Sequence, residues 1–134
     1  MSSIFTKIIN GEIPCFKIAE NELFLAFLDI EPLRPGHVLV VPKKEVDKVY
    51  DAEDIYLQQW LLFARPIAKA MEQVVSCERI GISFIGLEVP HAHMHLVPIS
   101  TANDLNFTQK PAKPAMDELA QMQQRIVAVL MQEK

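Results

Sequence analysis

Cysteine, glycine and excess positive charge are all scarce in this chain of 134 residues. There are only two cysteines, Cys15 and Cys77, far apart and in no CxxC pair, which excludes a disulfide framework and a cysteine-built zinc site. No apolar run approaches the roughly 20 residues that cross a bilayer. The opening Met1-Ser2-Ser3-Ile4-Phe5-Thr6-Lys7 lacks the apolar stretch of a secretion signal. The net charge of -4 gives no long-range attraction for nucleic acid or anionic lipid. Binding a phosphate compound therefore requires a local site of backbone N–H groups, histidines and a lysine. Internal repeats and low-complexity tracts are absent, and nothing calls for a cofactor or a bound metal. What is present is an ordinary globular balance, 50% hydrophobic and 22% charged. The expectation is one domain over residues 1–134, soluble and cytoplasmic, without a nucleic-acid or membrane partner.

The pattern along the chain predicts an α+β domain. Residues 4–9 read as a short helical turn closed by Asn10-Gly11. Ile13 to Ala19 and Leu23 to Leu28 flank the turn Glu20-Asn21-Glu22 as a hairpin running up to Asp29. Pro32, Pro35 and Gly36 punctuate a loop, and His37 stands at the entrance to Val38-Leu39-Val40-Val41, a strand covered on both faces. After the charged connector 43–48, Asp51 is the expected N-cap of a helix reaching Ser76, with a kink or break at Pro66. Ile80 to Leu87 and residues 91–98 are the next strands. A polar loop over 100–114 either closes over the site or merely connects. Met116 to Met131 forms the last helix, with Leu119, Met122, Ile126 and Leu130 on one stripe. Five strands and two main helices make a largely antiparallel sheet.

Three of the four histidines fall within His91-Ala92-His93-Met94-His95. Alternation on a strand turns the imidazoles one way and Ala92, Met94 and Leu96 the other. Three readings compete. As metal ligands, residues two apart lie about 6.6 Å apart and the outer pair about 13 Å. Zinc–nitrogen bonds of about 2.0–2.1 Å then reach two histidines but hardly three. As inert packing, three polar rings on one face each demand a hydrogen-bond partner. As covalent catalysts, a central imidazole attacks phosphorus while its neighbours orient it and handle protons. That last reading asks for an anion cradle nearby, and Gly86-Leu87-Glu88-Val89 stands where backbone N–H groups are needed.

The row, followed by Leu96-Val97, resembles the signature of the histidine triad (HIT) superfamily. The resemblance extends through Ile4 to Pro14, Leu25-Ala26-Phe27-Leu28-Asp29-Ile30 and Pro35-Gly36-His37-Val38-Leu39-Val40-Val41-Pro42-Lys43-Lys44, and is nearest to the small nucleotide hydrolase branch. It implies a HIT-like fold of five antiparallel strands with two helices, usually a homodimer, and a two-step reaction through a nucleotidyl-histidine. Carried over, His93 is the nucleophile and His91 offers its carbonyl to fix the nucleophile's tautomer. His95 contacts the phosphate and assists the leaving group, with His37 in support. Asp29 takes the ribose hydroxyls. Ile4, Phe5, Ile8, Phe27, Leu28 and Ile30 form a slot for a purine base, though plain core packing suits these apolar residues equally.

This chain departs from the pattern in two places. Ser3 and Thr6 stand where some members carry zinc-binding cysteines, so that metal site should be absent. Before the triad, Ser83 occupies the place of an asparagine and Leu87 that of an amide, while Glu88 falls where a small hydroxyl residue faces the phosphate. A carboxylate about 4 Å from a phosphate repels it by about 1–4 kcal/mol, unless it turns away, holds a histidine proton or selects a cationic amine leaving group. The resemblance implies a hydrolase or transferase acting at the α-phosphate of a purine nucleoside phosphoramidate. A dinucleoside polyphosphate hydrolase and a nucleotide-binding scaffold with vestigial activity are the alternatives. Trp60-Leu61-Leu62-Phe63 cannot all face one core, which reserves part of that helix for a second subunit.

Overall fold

The β-branched run before Lys43 forms the centre of the sheet. The computed structural model describes residues 2–132. Strands β1 (Lys17–Glu20), β2 (Phe24–Leu28), β3 (Val38–Pro42), β4 (Arg79–Ser83) and β5 (Met94–Ile99) form one sheet in the order β1-β2-β3-β5-β4, with all neighbours antiparallel. The β1–β2 turn is fixed by Asn21, whose Oδ1 accepts from the Leu23 and Phe24 amides at 2.9 and 2.8 Å. Helix α1 (Ile4–Ile9) precedes the sheet, α2 (Asp54–Val74) joins β3 to β4, and α3 (Met116–Gln132) ends the fold.

Alternation sorts the sheet into two faces. Phe24, Ala26, Leu28, Val38, Val40, Met94 and Leu96 pack beneath α2 and α3 against Trp60, Ala64, Ile67, Met71 and Ile126. Leu25, Phe27, Leu39 and Val41 turn the other way and pack under Phe5, Ile8 and Ile9 of α1. β3 is buried on both faces, as its unbroken apolar run predicts.

Several boundaries differ from the sequence reading. The histidine strand begins at Met94, not His91. The β3–β5 register, Val40 opposite Met94, would bring Pro42 opposite Ala92, and proline has no N–H for the ladder. The Ala92 amide instead donates to Val46 O at 2.6 Å. The alternation persists without the ladder: Ala92 joins the core under the helices, on the opposite side from the histidines. β4 stops at Ser83 rather than Leu87, and Gly86, at φ 78, turns the following segment aside. Asp51 closes a 3-10 turn (Val49–Asp51) and caps no α-helix, because the extended backbone of Ala52 and Glu53 intervenes and α2 starts at Asp54. α2 also runs unbroken through Pro66, which sits on its solvent side while Ala64 and Ile67 anchor the helix to the sheet. Only one helical donor is missing there. The loop 100–114 contains a 3-10 turn, Ala102–Leu105, whose Asp104 caps it. Among the described residues no helix is long and apolar enough to cross a membrane.

Candidate active site

On the α1 face of the sheet, the backbone assigns one ring nitrogen of His93, His91 and His37, and His37 in turn assigns one of His95. His93 Nδ1 lies 2.8 Å from the carbonyl of His91, which only accepts, so Nδ1 carries the proton and Nε2 keeps its lone pair. His91 Nε2 lies 2.9 Å from Pro42 O, so its proton is on Nε2, and Nδ1 accepts from the Ser3 hydroxyl at 2.7 Å. The Leu33 amide donates to His37 Nδ1 at 3.0 Å, which puts the His37 proton on Nε2. That N–H in turn donates to His95 Nδ1 at 3.0 Å, leaving Nε2–H as the remaining donor of His95. The result is a bare nitrogen on His93 beside a proton-bearing nitrogen on His95, with ring centroids 4.7 Å apart.

Burial keeps these rings uncharged. It depresses His37 and His95 to about 3, aided in both by the charge of Lys110. It lowers His91 and His93 as well, although the carbonyls that they bond oppose the shift. Neutral imidazole is the nucleophilic form. Burial pushes the Asp29 carboxyl up despite the Glu31 amide donating to its Oδ1 at 2.8 Å.

A cavity of about 360 Å³ opens at this point. It is lined by Phe5, Asp29, Ile30, Gly86, Leu87, Glu88, Val89, His93 and His95 among the residues singled out from the sequence, with Ile4 beside them. The structure does not bring the others to its wall. Ile8 and Phe27 lie in the packing under α1, where Phe5 covers the Phe27 ring edge-on at 5.7 Å. Leu28 faces α2 and α3. His91, fully buried, stands behind His93. His37 lines a neighbouring cavity of about 530 Å³ that shares Asp29. Ser83 lies opposite His95 in the β4–β5 pair, and its buried Oγ has no hydrogen-bond partner among the described residues.

The sequence reading missed Leu39, Ile85, Phe107, Thr108, Lys110 and Glu31, which also line the cavity. Phe107 sets its ring edge against His95 at 4.7 Å, so part of the 100–114 loop is a wall of the site. Glu88 holds no histidine: both its oxygens accept from Lys110 Nζ at 3.1 Å.

Two corners of the site bear on metal binding. Asp29, His37 and His95 bring donor atoms within 4.8 Å of one another. The nitrogens concerned, however, are already joined by the His37-to-His95 hydrogen bond, with the His37 proton between them. At the α1 N-terminus the Ser3 hydroxyl caps the helix by accepting from the Thr6 amide at 3.0 Å and occupies His91 Nδ1. Thr6 Oγ1 donates to Glu45 at 2.6 Å, a bond that, with the Ser3 amide, holds Glu45 down to about 2. Neutral hydroxyls committed in this way do not fit zinc, which takes thiolate, imidazole and carboxylate ligands.

The HIT domain family matches residues 10–102. This chain belongs to that family. Among its HIT relatives, adenosine 5'-monophosphoramidase HNT1 of Saccharomyces cerevisiae is 34% identical over 129 residues, covering 95% of this chain and 82% of that protein. Adenosine 5'-monophosphoramidase hnt1 of Schizosaccharomyces pombe is 39% identical over 103 residues, covering 73% and 74%. A HIT-like protein of Bartonella henselae superposes with a TM-score of 0.83 at 28% identity, covering 96% of each chain. A zinc-bound histidine triad protein of Mycobacterium smegmatis gives the same TM-score at 27% identity, covering 99% and 96%. These HIT structures share the five-stranded antiparallel sheet with its helices.

Proposed function

We propose that this HIT protein hydrolyses, or transfers the nucleotidyl group of, a purine nucleoside phosphoramidate through attack of His93 on the α-phosphorus. The chain is a HIT-type hydrolase, and the adenosine 5'-monophosphoramidases related to it support the substrate class. The observation that carries the reading is the 2.8 Å bond from His93 Nδ1 to His91 O, which frees Nε2 of a neutral ring lining the cavity. His93 Nε2 forms the N–P bond as the P–N bond to the amine breaks, and the leaving amine takes the proton of His95 Nε2. Water then attacks phosphorus and gives its proton back to His95 Nε2 as the N–P bond breaks, releasing the nucleoside monophosphate and restoring His93. The 3.0 Å hydrogen bond from His37 Nε2–H keeps His95 Nδ1 an acceptor, so the proton that His95 exchanges stays on its Nε2 side. Asp29 receives the ribose hydroxyls, and Phe5, Ile30 and Leu39 form the apolar walls for the base.

The working form is proposed to be a homodimer. β4 is an edge strand, and Leu57 and Leu61 of α2 lie exposed with Ile82, Phe84 and Ile85, tied across by the Trp60–Phe84 contact at 5.1 Å. The expected activity is release of AMP from adenosine 5'-phosphoramidate, reduced about 10³-fold or more by His93→Ala. Equal turnover by both proteins overturns the assignment of the nucleophile.

A further inference from the structure

The cavity beside His93 poses an electrostatic problem for an anionic ligand. Asp29, Glu31 and Glu88 all line it, and its two histidines are neutral. Among the described residues the one lysine or arginine on its wall is Lys110. This lysine is no free surface arm, since only 25% of its side chain is exposed. Its Nζ sits 3.1 Å from each Glu88 oxygen and 4.0 Å from Glu31 Oε2. The segment that carries it is anchored on both sides. Phe107 packs on His95, and Lys113 bonds Glu31 at 3.3 Å. The Lys110 charge reaches inward as well, contributing to the neutrality of His37 and His95 and opposing the upward shift of Asp29.

We propose that Lys110 is the phosphate-binding cation of this site and that Glu88 is its positioning partner, the pair selecting nucleoside phosphates over nucleosides. The proposal rests on the nucleotide reading above and names a residue that neither the triad nor the 83–90 segment contains. A lysine donates three N–H bonds, so Nζ can keep one Glu88 oxygen while another N–H turns to a non-bridging phosphate oxygen. Glu88, which alone would repel the phosphate, instead aims the charge that attracts it. The arrangement also explains why an acidic residue stands at a position facing the phosphate.

The test is calorimetric titration of the full chain with AMP and with adenosine, for the native protein and for Lys110→Met, Lys110→Arg and Glu88→Gln, each verified as folded by its melting curve. Lys110→Met is expected to weaken AMP binding by about tenfold or more while changing adenosine affinity by less than about twofold. Lys110→Arg retains most of the AMP affinity. Glu88→Gln keeps the lysine but loosens its aim, so AMP affinity is expected to fall by less than in Lys110→Met, and an affinity that holds or rises overturns the positioning role of Glu88. Unchanged AMP affinity in Lys110→Met overturns the proposal, as does an equal loss for AMP and adenosine, which would make Lys110 a structural tie. If the native chain binds neither ligand, the nucleotide reading itself fails and the proposal with it. AMP binding that is insensitive to Lys110 sinks the proposal alone.

Discussion

At the scale of single residues, the histidines are set by what their nitrogens touch. His37 and His95 sit at about 3, against 6.5 for a free ring. A histidine depressed in the folded state takes up a proton in the unfolded chain first, so stability is lost as pH falls below 6.5. Above 6.5 both states are neutral and the two rings contribute nothing to the pH dependence. The loss amounts to about 1.4 kcal/mol per pH unit for each ring. Glu45, Glu20 and Asp104, all held below their ordinary values, begin to act only at lower pH. Urea denaturation between pH 7 and 5 therefore reads chiefly the histidines, with Asp29, pushed up by burial, acting with the opposite sign. Stability is expected to be flat down to about 6.5 and then to fall steeply, and a flat profile to pH 5 contradicts their burial as neutral rings.

At the scale of elements, the loop before β3 matters because it presents His37. Gly36 adopts φ 90, and a Cβ there would meet Val75 Cγ2 at 2.9 Å, with Met122 Sδ at 3.6 Å. Gly36→Ala is expected to cost about 2–3 kcal/mol, from backbone strain plus the forced shift where α2 ends. Gly11→Ala is the control: its φ of 80 is equally strained, but nothing lies within 4 Å of the added carbon. It should cost only about 1 kcal/mol in the same denaturation series. Equal losses would remove the close approach of Val75 from the account.

Much of this architecture was legible because period-two alternation is a local property. Ala92, Met94 and Leu96 turn from the histidines as the pattern predicts, even where no ladder forms. The start of β5 was not legible, because it depends on Pro42 coming opposite Ala92 across the sheet. Phe27 and Leu28 lie in adjacent positions with identical burial patterns. Only the sheet's faces separate them, Leu28 under the helices and Phe27 beneath Phe5. Lys110 left no local mark, since its partner Glu88 is 22 residues away and the polar composition of its loop says nothing about where the loop folds back. For the triad, His37 and Asp29, the family pattern already marked the positions that the fold gathers on one face and one loop.

At the scale of the whole molecule, half of the four-residue apolar run in α2 has no use inside the chain. Trp60 is buried with its indole N–H on Val40 O at 3.2 Å, and Phe63 stacks on Phe24 at 5.4 Å. Leu61 and Leu62 are 56% and 49% exposed, near an edge strand that is itself apolar at Ile82. Paired chains would cover both the edge and these leucines. Light scattering on the purified protein should give twice the chain mass, and Leu61→Glu combined with Phe84→Glu should shift it to the monomer mass. A native monomer at micromolar concentration contradicts the proposed dimer.

Covalent nucleotidylation of His93 is open to intact-protein mass spectrometry after rapid mixing with adenosine 5'-phosphoramidate. The native chain is predicted to gain one adenylyl group transiently as the amine is released, and His93→Ala to gain none. Rapid hydrolysis with no adduct at any mixing time, or an adduct that survives in His93→Ala, would contradict it.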